Sequence, residues 1–276
     1  MHTIILDTDI GSDVDDALAL ATLLGSESVN LLGITTVYGD TKLRARIAHH
    51  LCHTANKSIP VFAGVETPLS GREVWSTGSE GNSFSNLNQY VLVDKTAVEF
   101  LVEAVNQNPG EIEVIAIGPL SNIASAIMQS PSFAKNVKHL WVMGGDFTKE
   151  KIEHNFKCDI TAAKIVLESD ISITILDLPS SQKTIIKKDE IEQIRSSAKL
   201  GPILYTEILN WIQPRNQDWT TPHDPIAVIA MLEPELFSFS DKGSVQIGED
   251  GNVKRVSPSK PLEAVRAMIS LIAKVN

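Results

Sequence analysis

Residues 3–24 read TIILDTDIGSDVDDALALATLL. A short run of Ile and Leu gives way to an acidic turn, and the turn to an Ala/Leu stretch with apolar residues at helical spacing. The run suits a strand buried on both faces, and the stretch suits a helix packed against it. A strand feeding a helix in this way begins a βαβ unit. The alternation continues outward. Further strand candidates fall at 30–36, 112–117, 139–143 and 171–176, and helix candidates at 16–24, 43–56, 95–106, 120–129 and 161–168. The expected fold is α/β: a mainly parallel central sheet flanked by helices, Rossmann-like and open, with the active site at the strand C-terminal ends. Two stretches break the rhythm. Residues 67–89 are rich in Gly, Ser and Asn, and loops of this length are uncommon and often serve binding. Residues 244–256 hold Asp250-Gly251 between alternating residues, a hairpin signal. An amphipathic stretch at 262–275 is expected to cover the sheet. No repeat and no linker-like shift in composition interrupts the chain, so one domain over 1–276 is expected.

The chain has 276 residues, of which 43% are hydrophobic, enough for a sizeable core. Lys and Arg number 24 against 34 Asp and Glu, a formal net charge of −10. Such a chain repels polyphosphate, so no nucleic-acid partner is expected. Its two cysteines, Cys52 and Cys158, make neither a disulfide framework nor a zinc-ligand spacing. No uncharged run reaches the roughly 18 residues that span a bilayer, and no basic segment leads into a long apolar one. The expectation is a reduced, cytoplasmic protein without a membrane partner.

The excess acid has a focus. Asp7, Asp9, Asp13, Asp15 and Asp16 place five carboxylates within ten residues at the first strand end. A helix N-terminus accounts for Asp15 and Asp16 through its dipole, but not for Asp7 and Asp9 as well. So many carboxylates repel one another unless some are protonated or a cation sits among them. Oxygen-only ligands favour a hard ion, Ca²⁺ or Mg²⁺. An EF-hand loop starting at Asp7 does not fit, because Gly11 and Ser12 stand where it needs a polar ligand and then glycine. A strand ending in Asp-x-Asp also opens phosphatases of the haloacid dehalogenase type. In that alternative, Asp7 is the nucleophile and Mg²⁺ the cofactor.

The motifs together resemble the nucleoside hydrolase family of the inosine-uridine-preferring type. Asp7-Thr8-Asp9-Ile10-Gly11 and Asp15-Asp16-Ala17 match the two ends of its N-terminal signature. In family order follow Val61-Phe62-Ala63-Gly64 with Pro68-Leu69, Ile117-Gly118-Pro119-Leu120-Ser121-Asn122, Met143-Gly144-Gly145, Glu153-His154-Asn155 with Asp159 and Ala162-Ala163, and His223-Asp224-Pro225. The resemblance implies Ca²⁺-dependent hydrolysis of a ribonucleoside to ribose and free base, with a small-molecule substrate and a homodimer or homotetramer. Asp9 then binds the metal and takes a proton from the attacking water. Asp16 and Asp224 are further metal ligands, and Ile117 supplies a backbone carbonyl. Glu153 and Asn155 hold ribose hydroxyls, Met143 lines the sugar pocket, and His223 helps protonate the leaving base. A non-catalytic nucleoside- or ribose-binding protein would keep the same pocket without turnover.

The sequence also departs from the family pattern. Two extra residues after Gly11 add Asp13, so either Asp15 or Asp13 grips the ribose diol, with Asp15 favoured for its place beside Asp16. Asp40, in Tyr38-Gly39-Asp40, stands among the substrate contacts where the family carries Asn. Residues 77–81 match the family's His-Gly loop only loosely, and the stretch before Glu153 is short and lacks an Asn that contacts the sugar. His223-Asp224-Pro225 also suits a helix start with Asp224 at the N-cap. Trp75, Phe84 and Tyr90 either stack on a base or fold the long loop down. Trp211 and Trp219 either line a base pocket or pack helices. His49, His50 and His53 fall on a helix face expected to meet solvent. Purine or pyrimidine preference stays open.

Overall fold

The computed structural model describes residues 1–75, 80–148, 151–242 and 253–275. Its strands are β1 (His2–Thr8), β2 (Val29–Thr36), β3 (Val61–Ala63), β4 (Ile112–Ala116), β5 (His139–Met143), β6 (Ile173–Leu176), β7 (Phe237–Lys242) and β8 (Val253–Pro258). Its helices are α1 (Asp15–Leu24), α2 (Thr41–Thr54), α3 (Ala97–Gln107), α4 (Ser121–Gln129), α5 (Pro131–Asn136), α6 (His154–Cys158), α7 (Ile160–Leu167), α8 (Leu178–Ser181), α9 (Lys188–Arg195), α10 (Gly201–Ile212), α11 (His223–Leu232) and α12 (Pro261–Ile272). The strands form one sheet in the order β3-β2-β1-β4-β5-β6-β8-β7. Every neighbouring pair is parallel except β7 with β8.

Both faces of the sheet are covered, which is why its central strands read as continuous apolar runs. In β1, Ile4 and Leu6 face a core shared with α1, α2, α11 and α12. Ile5, between them, faces the core built with α3, α4, α5 and α7. Local signals fix the helix starts. Thr96 caps α3 through a capping box, its hydroxyl accepting from Glu99 N at 3.2 Å while Glu99 Oε2 accepts from Thr96 N at 2.9 Å.

The order of strands positions the site. From β1 the chain builds outward to β2 and β3. It then returns to β4, on the other side of β1, and builds toward β5 and β6. The C-terminal ends of β1 and β4 therefore flank a topological switch point, where open α/β sheets hold their ligands.

Some expectations shift. The antiparallel pair is formed by β7 and β8, and residues 243–252, with Asp250-Gly251 among them, lie outside the described residues. The three-residue edge strand β3 is too short for a periodicity signal, and α8, α9 and α10 fill a stretch to which the sequence pattern assigned nothing. Residues 67–75 and 80–89 are irregular apart from one 3₁₀ turn, Leu87–Gln89, while Thr77, Gly78 and Ser79 lie outside the described residues. Among the described residues, no helix is long and apolar enough to cross a membrane.

Candidate active site

A cavity of about 250 Å³ opens at this switch point. Asp9, Asp13, Asp15, Asp16, Ile117, Met143, Glu153, Asn155, His223 and Asp224 all line it. They arrive from five places: the β1–α1 turn, the ends of β4 and β5, the start of α6 and the start of α11. Asp40 does not join them. It is exposed and caps α2, its Oδ1 accepting from Leu43 N at 2.9 Å. An N-cap needs an acceptor, which Asp supplies as well as Asn, so this substitution is legible as local structure.

The acidic turn is shaped by its own backbone. Asp13 Oδ1 accepts from Asp15 N at 3.2 Å, and Thr8 Oγ1 donates to Asp16 Oδ1. The carboxylates of Asp13, Asp15 and Asp16 offer oxygens within 4.8 Å of one another. Gly118 leaves room for Asp9, since a Cβ there would lie 2.7 Å from Asp9 Oδ1. α11 begins at His223 rather than at Pro225, and no side chain caps it, so Asp224 is free of the capping role that sequence alone allowed.

Burial sets the electrostatics. Asp9, Asp15, Asp16 and Asp224 are all held above the ordinary carboxylate range, in each case first by loss of water and then by neighbouring carboxylates. Arg44 opposes the rise at Asp9 and, less strongly, at Asp16. A cluster of buried carboxylates that stays raised despite Arg44 is a donor set that further positive charge would stabilise. Its all-oxygen chemistry fits a hard divalent cation.

The side of the cavity lined by Glu153 and Asn155 is built differently. Glu153 caps α6 and accepts from Asn155 N at 2.9 Å, Gly145 N at 3.0 Å and Phe156 N at 3.2 Å. Burial raises its carboxyl, and these three N–H groups oppose the rise. Asn155 Nδ2 donates to Ile117 O at 2.8 Å and to Met143 O at 3.2 Å, which commits its amide nitrogen and leaves its oxygen for the cavity. The Ile117 carbonyl keeps a second lone pair. Across the cavity, Ser181 Oγ lies 2.7 Å from His223 Nδ1 and donates to Leu178 O at 2.9 Å. With the hydroxyl proton used there, Nδ1–H of His223 donates to Ser181, and Nε2 is the other exchangeable position. Burial lowers the His223 pKa, against the pull of Asp13. Sequence pattern gave no sign of Ser181, because its partner is distant in the chain.

A second cleft of about 640 Å³ shares Ser12, Asp13 and Trp211 with the first. Polar groups line much of it, including Asn82, Ser83, Glu207 and Asn210. Trp211 thus faces both cavities, its ring under the Arg215 guanidinium at 3.3 Å, while Trp219 is exposed. Tyr90 and Phe84 fold the long segment onto α2: Tyr90 Oη lies 3.0 Å from His50 Nδ1, and Phe84 packs edge-on to His50. His49 and His50 are accordingly half-buried rather than on a free solvent face. Trp75 packs beside His154 at the cavity rim.

Asp7 is excluded from the cavity. It is fully buried, with Oδ1 accepting from Thr35 Oγ1 at 2.6 Å and Asn122 Nδ2 at 2.7 Å, so it has no access to a phosphoryl group as nucleophile. Among the described residues its Oδ2 has no hydrogen-bond partner, and burial pushes its carboxyl up to about 7, against the pull of those two bonds. The folded state therefore holds a proton that the unfolded chain releases near pH 4. The associated stability is complete below that pH and is lost as pH rises through about 7. Urea unfolding of chelator-treated protein is expected to show a loss of a few kcal/mol from this group between about pH 4 and 8. Asp7→Asn should flatten that slope, since an amide oxygen keeps both accepted bonds; an unchanged slope would rule out Asp7 as its source.

The inosine-uridine preferring nucleoside hydrolase profile matches residues 4–267. The probable uridine nucleosidase 2 of Oryza sativa subsp. japonica is 33% identical over 276 residues, covering 91% of this chain and 80% of that protein. The non-specific ribonucleoside hydrolase RihC of Salmonella newport is 30% identical over 248 residues, covering 85% of this chain and 80% of its own. Among solved structures, a purine-preferring ribonucleoside hydrolase from Gardnerella vaginalis superposes with a TM-score of 0.87 at 22% identity, covering 99% of this chain and 98% of that one. A plant nucleoside hydrolase gives 0.86 at 24% identity, with 99% of each chain covered.

Proposed function

This chain belongs to the inosine-uridine preferring nucleoside hydrolase family and is a hydrolase of N-glycosidic bonds, and on that premise we propose that it is a Ca²⁺-dependent ribonucleoside hydrolase working through an activated water. One observation carries the reading. The carboxylates of Asp9, Asp15, Asp16 and Asp224 meet Glu153, Asn155 and His223 around a single cavity at the sheet's switch point.

Asp9, Asp16, Asp224 and the Ile117 carbonyl are the groups that would hold Ca²⁺. When bound, the ion lowers the pKa of a water and supplies Lewis acidity. Asp9 takes the proton of the attacking water. Asp15, with Asp13 beside it, accepts hydrogen bonds from the ribose diol, and Asn155 Oδ1 and Glu153 accept from further hydroxyls. Positive charge grows on the ribosyl group as the base departs, and this ring of oxygens stabilises it. Met143 closes the apolar side of the sugar pocket. His223, held through Nδ1 by Ser181, offers Nε2 toward the leaving base. Direct attack by water predicts inversion at the anomeric carbon. The reading is completed by one domain over 1–276, a homodimer or homotetramer, and a cytoplasmic setting.

The test is a panel of purine and pyrimidine ribonucleosides assayed for free ribose, with Ca²⁺ and with chelator. Metal-dependent ribose release is expected. Tight nucleoside binding without ribose would instead indicate a binding protein. His223→Ala is expected to slow hydrolysis of ordinary ribonucleosides about 10²-fold or more, as loss of a general acid does. It should leave a riboside with a nitrophenolate leaving group nearly unaffected, because that anion departs without a proton. Equal losses on both substrates would refute the acid role.

A further inference from the structure

The side chain of Arg44, near the start of α2, is fully buried and is not among the residues that line the cavity. Its Nε donates to Tyr38 O at 2.7 Å, its Nη1 to Asp9 O and to Ile10 O at 3.0 Å, and its Nη2 to Glu80 Oε1 at 3.1 Å. Ser12 Oγ donates to the same Glu80 oxygen at 3.3 Å. Three of these acceptors are main-chain carbonyls of the two turns after β1 and β2. The fourth is a carboxylate from the second half of the long 67–89 segment.

We propose that Arg44 and Glu80 are positioning residues for the reaction: a buried clasp that fixes the turn carrying Asp9 and joins the 67–89 segment to it. The proposal rests on the hydrolase reading above for the consequence of displacing Asp9, though not for the clasp itself. Three features support it. Arg44 reaches both turns at once, because a planar guanidinium presents donors in several fixed directions. The Tyr38 carbonyl that it binds belongs to a non-glycine residue at φ +68°, a sparsely populated conformation that needs its surroundings to hold it. Glu80 sits directly on the catalytic turn, since a Cβ on Gly11 would lie 3.5 Å from Glu80 Cβ. A base misplaced by a fraction of an ångström loses much of its effectiveness, so loosening this turn should act on turnover rather than on substrate affinity.

The experiment compares the full-length protein with Glu80→Ala and Glu80→Gln, the second keeping an oxygen for Arg44 and Ser12. Glu80→Ala is expected to lower kcat about tenfold or more with KM within about threefold. Amide exchange across residues 9–13 should speed about tenfold while that of β4 and β5 stays constant. Ca²⁺ affinity, read by calorimetry, should fall. Glu80→Gln should recover most of each effect. Unchanged exchange at residues 9–13 would overturn the clasp, and faster exchange with unchanged kcat, or with a change in KM alone, would overturn the positioning role. If the wild-type protein releases no ribose from any ribonucleoside, the proposed function fails. Exchange and Ca²⁺ affinity in Glu80→Ala then still decide the clasp.

Discussion

Asp9→Asn is expected to reduce ribose release by about 10²–10⁴-fold, the range for loss of a positioned general base. The fold should survive. Asp9 sits just beyond the last residue of β1, and its backbone carbonyl, not its carboxylate, holds Arg44. In the wild type, burial and neighbouring carboxylates disfavour its charge. An isosteric amide removes that repulsion, so the metal-free variant should melt at the same temperature as the wild type or higher. The decisive measurement is kcat on a good ribonucleoside beside a melting curve. Undiminished turnover would sink the base assignment, while lost turnover with a collapsed melt would signal misfolding instead.

Metal removal should match this in size and should also carry a stability signature. Chelation is expected to abolish hydrolysis. Ca²⁺ at about a thousand times its dissociation constant adds about 4 kcal/mol to folding, or roughly 10 °C in the melt of a chain of this length. Asp16→Asn and Asp224→Asn should cross over. In chelator each should be more stable than wild type, because one of a set of mutually repelling buried carboxylates is gone. With Ca²⁺ present each should be less stable, because the ion is held poorly. Mg²⁺ in place of Ca²⁺ identifies the ion that the site prefers. A wild-type melt indifferent to both ions would remove the metal from the reading.

The parts of the molecule that sequence made legible share a physical cause. β5 was readable to the residue, and β1, β2, β4 and β6 within two residues at each end, because a strand covered on both faces leaves a run of Ile, Leu and Val. The Asp9–Asp16 constellation stood out because several carboxylates in one turn are costly without a purpose, whereas His223–Asp224 was legible only through the resemblance to the family. Arg44 did not stand out, since an arginine on an amphipathic helix ordinarily faces water and only tertiary structure buries this one. Ser181, Thr35 and Asn122 were missed for a similar reason: each matters through a partner far off in the chain. Asp40, read from its motif position as a substrate contact, caps α2 and does not line the cavity, a local role that a motif match does not reveal.

The docking of α11 on α1 has one further consequence. Asp16 begins one helix and Asp224 the other, with most of the chain between them. In the metal site proposed above, a growing or partly folded chain thus lacks one of the four groups that would hold the ion, which has no firm seat until the sheet has closed around both helices. On that reading capture of the cation is a late step in maturation, and the nascent protein stays inert toward nucleosides until it has finished folding.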